Sequence, residues 1–335
     1  MRLGVLDVGS NTVHLVAVDA KPGGHPTAMS DWKTTMKLVE FLDKDGAIDD
    51  KGVSKLVSGV GEARELATQL GCEELLPFAT SAIRSATNAD DVLDTVEKET
   101  GVRLEILSGE DEARLTFLAV RRWYGWSAGR ITNLDIGGGS LELSTGTDEN
   151  PDAAFSLDLG AARLTHNWFD TDPPERKKVN ILRDYIDAEL VEPARAMRNC
   201  GRADLAVGTS KTFRTLARLT GAAPSSAGPR VTRTLTAPGL RQLIAFISRM
   251  TAADRAELEG VSAVRSHQIV AGALVAEAAM RALGLEQLQI CPWALREGVI
   301  LRRIDTAAMA EMTELAGTGV ALGTQVQGSK EGRKK

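Results

Sequence analysis

Two short runs in this sequence set a carboxylate just ahead of a glycine turn. Leu6-Asp7-Val8-Gly9-Ser10-Asn11 lies near the start, and Leu134-Asp135-Ile136-Gly137-Gly138-Gly139-Ser140 lies near the middle. Glycines without Cβ atoms let backbone N–H groups come close to an oxyanion. Ser10 and Ser140 add hydroxyl donors, whereas Asp7 and Asp135 only accept at neutral pH. Carboxylates beside a phosphate repel it unless a cation lies between them. Hydrated Mg²⁺, bound through one or two carboxylates and water, is the ion that suits such a place. The chemistry implied is a phosphate site with a divalent ion, built from two facing loops.

A second pair of echoes supports the duplication. Phe78-Ala79-Thr80-Ser81 precedes Arg84, and Val207-Gly208-Thr209-Ser210 precedes Arg214. Thr80 follows Asp7 by 73 positions and Thr209 follows Asp135 by 74. Two motifs recurring in order at nearly equal spacing indicate an internal repeat. Hydroxyl residues at the start of a helix, with its free N–H groups, make an anion site. Arg84 and Lys211 can add positive charge there, although ordinary helix capping also explains the pattern.

Ser108-Gly109-Glu110-Asp111-Glu112-Ala113-Arg114 is the third feature. Ser108 and Asp111 resemble a capping box, and acids suit a first helical turn. Glu112 stands one turn in, from where a carboxylate can orient and deprotonate a water. The histidines His14, His25, His166 and His267 show no metal-ligand spacing and read as structural. Trp123, Trp126, Trp168 and Trp293 read as core or interface residues.

The elements that must position these groups follow from hydrophobic period. Strands are expected near 2–8, 12–19, 74–80, 102–107, 130–136, 140–145, 153–158 and 203–208. Helices are expected near 52–70, 88–99, 109–124, 174–197, 210–219, 238–249, 264–283 and 294–303. This mixture predicts α/β layers with a partly parallel sheet. A boundary is expected near Gly125–Gly129, giving one domain over 1–127 and a second over 128–305. Residues 306–335 are read as a disordered tail. Of the 335 residues, 43% are hydrophobic and 25% charged, which can fill two cores. The net charge of −5 argues against nucleic-acid binding, so an anion must be held by local groups. Cys72, Cys200 and Cys291 are scattered, which argues against a zinc or disulfide framework and fits a reducing cytoplasm. No signal-peptide core opens the chain and no run of about 18 apolar residues crosses a membrane.

At these residues the sequence resembles the exopolyphosphatase / guanosine pentaphosphate phosphohydrolase family. The resemblance rests on Asp7 to Asn11, Ala79-Thr80-Ser81-Ala82-Ile83-Arg84, Ser108 to Arg114, Asp135 to Glu142 and Leu295-Arg296-Glu297-Gly298. It implies duplicated actin-like ATPase (ribonuclease H-like) domains with an interdomain phosphate-binding cleft. It implies hydrolysis of a terminal phosphoanhydride of inorganic polyphosphate with Mg²⁺ or Mn²⁺. The matching positions imply Glu112 as the catalytic glutamate and Asp135 and Glu142, with Asp7, as metal- and water-positioning acids. Gly9, Ser10, Asn11, Gly137, Gly138, Gly139, Ser140, Thr209 and Ser210 become phosphate contacts, with Arg84 as a clamp. The resemblance equally admits guanosine pentaphosphate as substrate, and it allows a homodimer. Where the family often has Arg-Ala-Asp, this chain has Arg265-Ser266-His267, which leaves the role of His267 open. Longer members carry an additional C-terminal helical domain for which this chain is too short. An actin-like kinase, for which Gly272 and Gly284 offer only weak nucleotide turns, and a non-catalytic polyphosphate or nucleotide sensor remain the rival readings.

Overall fold

Alternating apolar residues on both sides of each glycine turn fold into hairpins. In the computed structural model, which describes residues 1–21, 24, 26 and 28–317, β1 (Arg2–Val8) pairs antiparallel with β2 (Thr12–Asp19). β6 (Ile131–Ile136) pairs in the same way with β7 (Leu141–Gly146). The turns match: Gly9 N donates to Thr12 O at 3.0 Å and Gly137 N to Ser140 O at 2.9 Å. The register sets Asp7 opposite His14 and Asp135 opposite Glu142. Structurally, then, Ser140 corresponds to Thr12 rather than to Ser10.

Each hairpin is extended by a third antiparallel strand, β3 (Ala28–Thr35) in the first half and β8 (Ala153–Leu157) in the second. On the other side a parallel strand joins, β4 (Glu74–Ala79) beside β1 and β9 (Leu205–Gly208) beside β6. β5 (Glu105–Ile106) follows β4, and β11 (Gln287–Ile290) follows β9. β10 (Thr234–Thr236) is an added edge in the second sheet. The sheet orders are β3-β2-β1-β4-β5 and β10-β11-β9-β6-β7-β8, one plan used twice. β3 is absent from the sequence-based map because its residues alternate around half-burial on an edge and include few aliphatics. Only Glu105–Ile106 pairs within the strand expected over 102–107.

The helices of the first half are α1 (Asp50–Gln69), the single turn α2 (Ser81–Arg84), α3 (Ala89–Thr100) and α4 (Gly109–Tyr124). Those of the second half are α5 (Ala161–Trp168), α6 (Arg176–Asn199), α7 (Ser210–Leu219), α8 (Ala237–Ile247), α9 (Ala252–Ala256), α10 (Ile269–Ala282) and α11 (Leu295–Gly317). The helix expected from 264 begins as a 3-10 turn, Ala263–Gln268, before α10. On one face of the first sheet, Leu56 and Val60 of α1 and Val92 and Val96 of α3 pack against Leu6, Val13 and Leu15. On its other face, Leu115 of α4 and Ile300 and Ile304 of α11 meet Leu3, Val5 and Phe78. The second sheet buries Leu134, Ile136, Leu141 and Leu143 against α6, α7 and α10. Truncating one of these, such as Leu143 to Ala, costs roughly 2–5 kcal/mol, because all four are at most 1% exposed.

α11 departs from the expected partition. It follows the second half in sequence but packs on β1 and along α4. α4 also faces β6, β7 and β8, so these two helices form the layer shared by both sheets. Gly298 permits this, because a Cβ there would run into the Leu115 carbonyl of α4. The helix continues past Asp305 to Gly317, where disorder was expected. Ala307, Ala308 and Ala310 favour helix over the small polar residues further on. Trp293 is 9% exposed and belongs to the core, whereas Trp126 is 60% exposed and does not. His25 lies outside the described residues.

Candidate active site

The two glycine loops meet. A Cβ on Gly138 would lie 2.7 Å from Asn11 Nδ2 and 2.8 Å from Ser10 Cβ, and one on Gly139 would collide with Ser81 Oγ. Ser10 and Ser81 hydroxyls are 3.5 Å apart. Ser10, Asn11, Thr80, Ser81 and Ser140 are all buried. The first loop, the β4–α2 junction and the second loop thus converge at one point.

The second loop is held from below by a residue that the sequence motifs did not mark. Ala161 N donates to Gly137 O at 3.0 Å, and Ala162 N and Arg163 N donate to Gly138 O at 2.9 and 3.0 Å. Gly160 precedes them, and a Cβ there would overlap the backbone of Gly139 and Ser140. Gly160→Ala is therefore expected to displace the loop, lowering both thermal stability and phosphate affinity. Retention of both in the purified variant would contradict this. Arg163 also crosses between the halves, donating to Ser85 Oγ at 2.8 Å.

Glu112 is set by the start of α4. Ser108 caps the helix by accepting from Asp111 N at 3.1 Å, and its own hydroxyl donates to the Asp111 carboxylate at 2.7 Å. Glu110 turns outward to Arg114. Glu112, one position past Asp111, is 6% exposed and pairs with Arg84, which also donates to Leu107 O at 2.7 Å. Arg84 is therefore occupied by Glu112 in this structure. Burial pushes the Glu112 carboxyl up, Arg84 opposes that, and Asp7 and Asp135 add to it. Glu142 is raised well above the usual carboxylate range by burial and by Glu112 and Asp135. It accepts from Ser156 Oγ at 3.0 Å. Burial also raises Asp7 and Asp135. Arg296 and Arg265 hold Asp7 down against burial, and hydrogen bonding from Thr209 does the same for Asp135.

Thr209 occupies a different place from its counterpart. Thr80 N donates to Val8 O at 3.2 Å, but Thr209 N donates to Leu134 O, two strand positions earlier in the repeat, at 2.9 Å. The β9–α7 junction has slipped back along its neighbour, so Thr209 sits beside Asp135 and donates to it at 2.6 Å. In this structure its buried hydroxyl supports a carboxylate. Neither Thr80 nor Thr209 makes a side-chain cap, and Ser210 adopts a left-handed φ of 69°.

Asp7, Glu112, Asp135 and Glu142 offer hard oxygen donors within electrostatic reach of one another. Among the described residues no three acidic, histidine or cysteine side chains gather closely enough to enclose an ion. Charge of the other sign borders them. Arg265, Arg296 and Arg214 act on Asp7 and Asp135, and Lys211 lies near Arg265 and Arg214. Lys211 and Arg214 also line a cavity of about 290 Å³ with Arg218, Arg233 and Pro292.

Two mixed sheets of one plan, each presenting a hairpin loop to the other, define an actin-like ATPase fold. A crystal structure of an exopolyphosphatase from Cytophaga hutchinsonii shares it, with a TM-score of 0.82 over 91% of this chain and 98% of that one, at 24% identity. The Ppx/GppA family member of Aquifex aeolicus superposes with a TM-score of 0.75 over 92% and 98%, also at 24% identity. The chain belongs to the Ppx/GppA phosphatase family, whose profile matches residues 17–307. That match starts within β2, so the first glycine loop stands on its own geometry. Exopolyphosphatase 1 of Mycobacterium tuberculosis is 68% identical over 308 residues, covering 92% of this chain and 90% of that protein.

Proposed function

We propose that this chain is an exopolyphosphatase, removing orthophosphate from the end of inorganic polyphosphate. The observation that carries the reading is Glu112, a buried carboxylate beside Arg84 where the two glycine loops converge. The name carried by the M. tuberculosis relative supports the same substrate. Loop N–H groups and the Ser10 and Ser140 hydroxyls bind the terminal phosphoryl oxygens. A phosphate arriving there competes with Glu112 for Arg84 and frees the carboxylate to face water. Glu112 takes the water proton as the water oxygen bonds to phosphorus. The bridging P–O bond breaks, and the shortened chain leaves with its electron pair. Such chemistry depends mainly on position and charge stabilisation.

A divalent cation, Mg²⁺ or Mn²⁺, fits the donors. They are hard carboxylate oxygens, and an open set suits an ion that keeps water and substrate phosphate in its shell. Asp135 and Glu142 would hold it, directly or through its waters, with the Asp7 charge close by. Bound there, it supplies neutralising charge to the phosphoryl oxygens. We place the activity in the cytoplasm. The scattered cysteines Cys72, Cys200 and Cys291 suit a reducing compartment. Among the described residues no helix is long and apolar enough to cross a membrane.

Polyphosphate is expected to be a better substrate than ATP. The loop N–H groups, Ser10, Ser140 and Arg84 are partners for phosphate, and Lys211 and Arg214 extend the positive border beyond the loops. Contacts of this kind are screened by salt. KM for polyphosphate should therefore rise with ionic strength more than KM for ATP. Measuring kcat/KM for polyphosphate, ATP and guanosine pentaphosphate at two ionic strengths tests this. A higher value for either nucleotide at low salt would overturn it.

A further inference from the structure

We propose that Arg296, aimed by His14, binds the phosphate next to the terminal one of the bound chain. This rests on the exopolyphosphatase reading. It starts from an asymmetry between the duplicated hairpins: one register position holds Glu142 opposite Asp135 and His14 opposite Asp7. The second half presents an acid where the first presents an imidazole.

The imidazole is held on two sides. His14 Nε2 lies 2.8 Å from Asp31 Oδ2, across the β2–β3 pair. Arg296 Nη1 contacts Nδ1 and lies 3.1 Å from Nε2. A guanidinium only donates, so the nitrogen it meets must carry a lone pair. A neutral ring can accept from Arg296 on one nitrogen while the other donates to Asp31.

Two consequences follow for Arg296. First, the nearby carboxylate Asp31 is used by His14, and no acid forms an ion pair with Arg296 among the described residues. Second, its backbone is fixed. Glu297 accepts from Ala294 N at 2.7 Å at the start of α11, and Gly298 seats the helix on α4. The Arg296 guanidinium is thus held at a set place. Asp7 feels that charge, as it feels Arg265. Arg214 and Arg265 each lie close enough to be disfavoured by Arg296. Gathering partly buried cations against one another is costly unless an anion completes the site. Glu112, Asp135 and Glu142 form the acidic side of the same site. A phosphate chain set across this polarity puts its terminal phosphorus over the acids and its next phosphate on Arg296.

The test compares wild type with Arg296→Met, Arg296→Lys and His14→Gln. Binding of orthophosphate and of tripolyphosphate is measured by calorimetry, and kcat and KM are measured on polyphosphate. Arg296→Met should raise KM about 10–100-fold, the effect of losing a charge-assisted hydrogen bond, with kcat changed only a few-fold. Tripolyphosphate binding should weaken equally while orthophosphate binding stays unchanged. Arg296→Lys should restore most of the affinity. His14→Gln should move KM in the same direction, and the double variant His14→Gln/Arg296→Met should be no worse than Arg296→Met alone. Should Arg296→Met fail to fold, the lysine and His14 variants carry the comparison. An unchanged KM, or equal weakening of orthophosphate and tripolyphosphate, would overturn the role of Arg296. Wild type that hydrolyses no polyphosphate would instead remove the functional reading beneath it.

Discussion

Replacing Glu112 by glutamine is expected to lower kcat roughly 10²–10⁴-fold, the usual contribution of a positioned general base. The amide preserves size and can still accept a hydrogen bond from Arg84, so fold and polyphosphate binding should survive. What is lost is the capacity to take a proton from water. The pH profile gives a second readout. The wild-type base acts only when ionised, and burial raises the Glu112 carboxyl above its ordinary range. The acid limb of the wild-type rate should accordingly lie above the pH at which free glutamate titrates, about 4.3. Glu112→Gln should lack that limb. Near-normal turnover in the purified variant would remove Glu112 from the mechanism.

Asp135→Asn and Glu142→Gln should each weaken activation by Mg²⁺ more than the roughly 10–100-fold that follows loss of a supporting group around a metal. The same changes should act oppositely on stability. Glu142 has a carboxyl raised well above its ordinary value by burial and by Glu112 and Asp135. The folded state thus holds a proton that the unfolded chain releases. The stability this gives is present below the unfolded pKa and is lost as pH rises toward the folded one. Glutamine carries no such dependence. In chelator, Glu142→Gln should melt higher than wild type at pH 8, and the difference should shrink at pH 4. Such a gain on losing a site residue is the ordinary trade between stability and activity. Equal melting temperatures at both pH values, or metal titrations that match wild type, would contradict the account of these acids.

The parts of this molecule written in local patterns were legible from residues alone. Asp7 and Asp135 precede glycine turns flanked by alternating apolar residues, and both became hairpins with matching turn bonds. Ser108 with Asp111 announced the start of α4 and hence the place of Glu112. Features that depend on long-range packing were not legible. β3 is a polar edge whose pairing only β2 reveals. Gly160 looks like any loop glycine until a Cβ placed there is set against Gly139. The nearly equal spacing of Thr80 and Thr209 concealed a two-position slip between β9 and β6 that sets Thr209 beside Asp135. Arg296 and His14 are separated by 282 positions and meet because α11 returns to the first sheet. A pattern confined to ten residues carries no trace of such a return.

The central claim is that water, activated by Glu112, attacks the terminal phosphorus of a polyphosphate chain. Hydrolysis of polyphosphate of uniform length in ¹⁸O-labelled water tests it most directly, with orthophosphate and remaining chains analysed by mass. The account predicts that each released orthophosphate gains one labelled oxygen from that water and that chains shorten one phosphate at a time. It also predicts that Glu112→Gln loses this exchange while still binding the chain. Release of internal fragments, orthophosphate without label, or undiminished labelling in Glu112→Gln would contradict it.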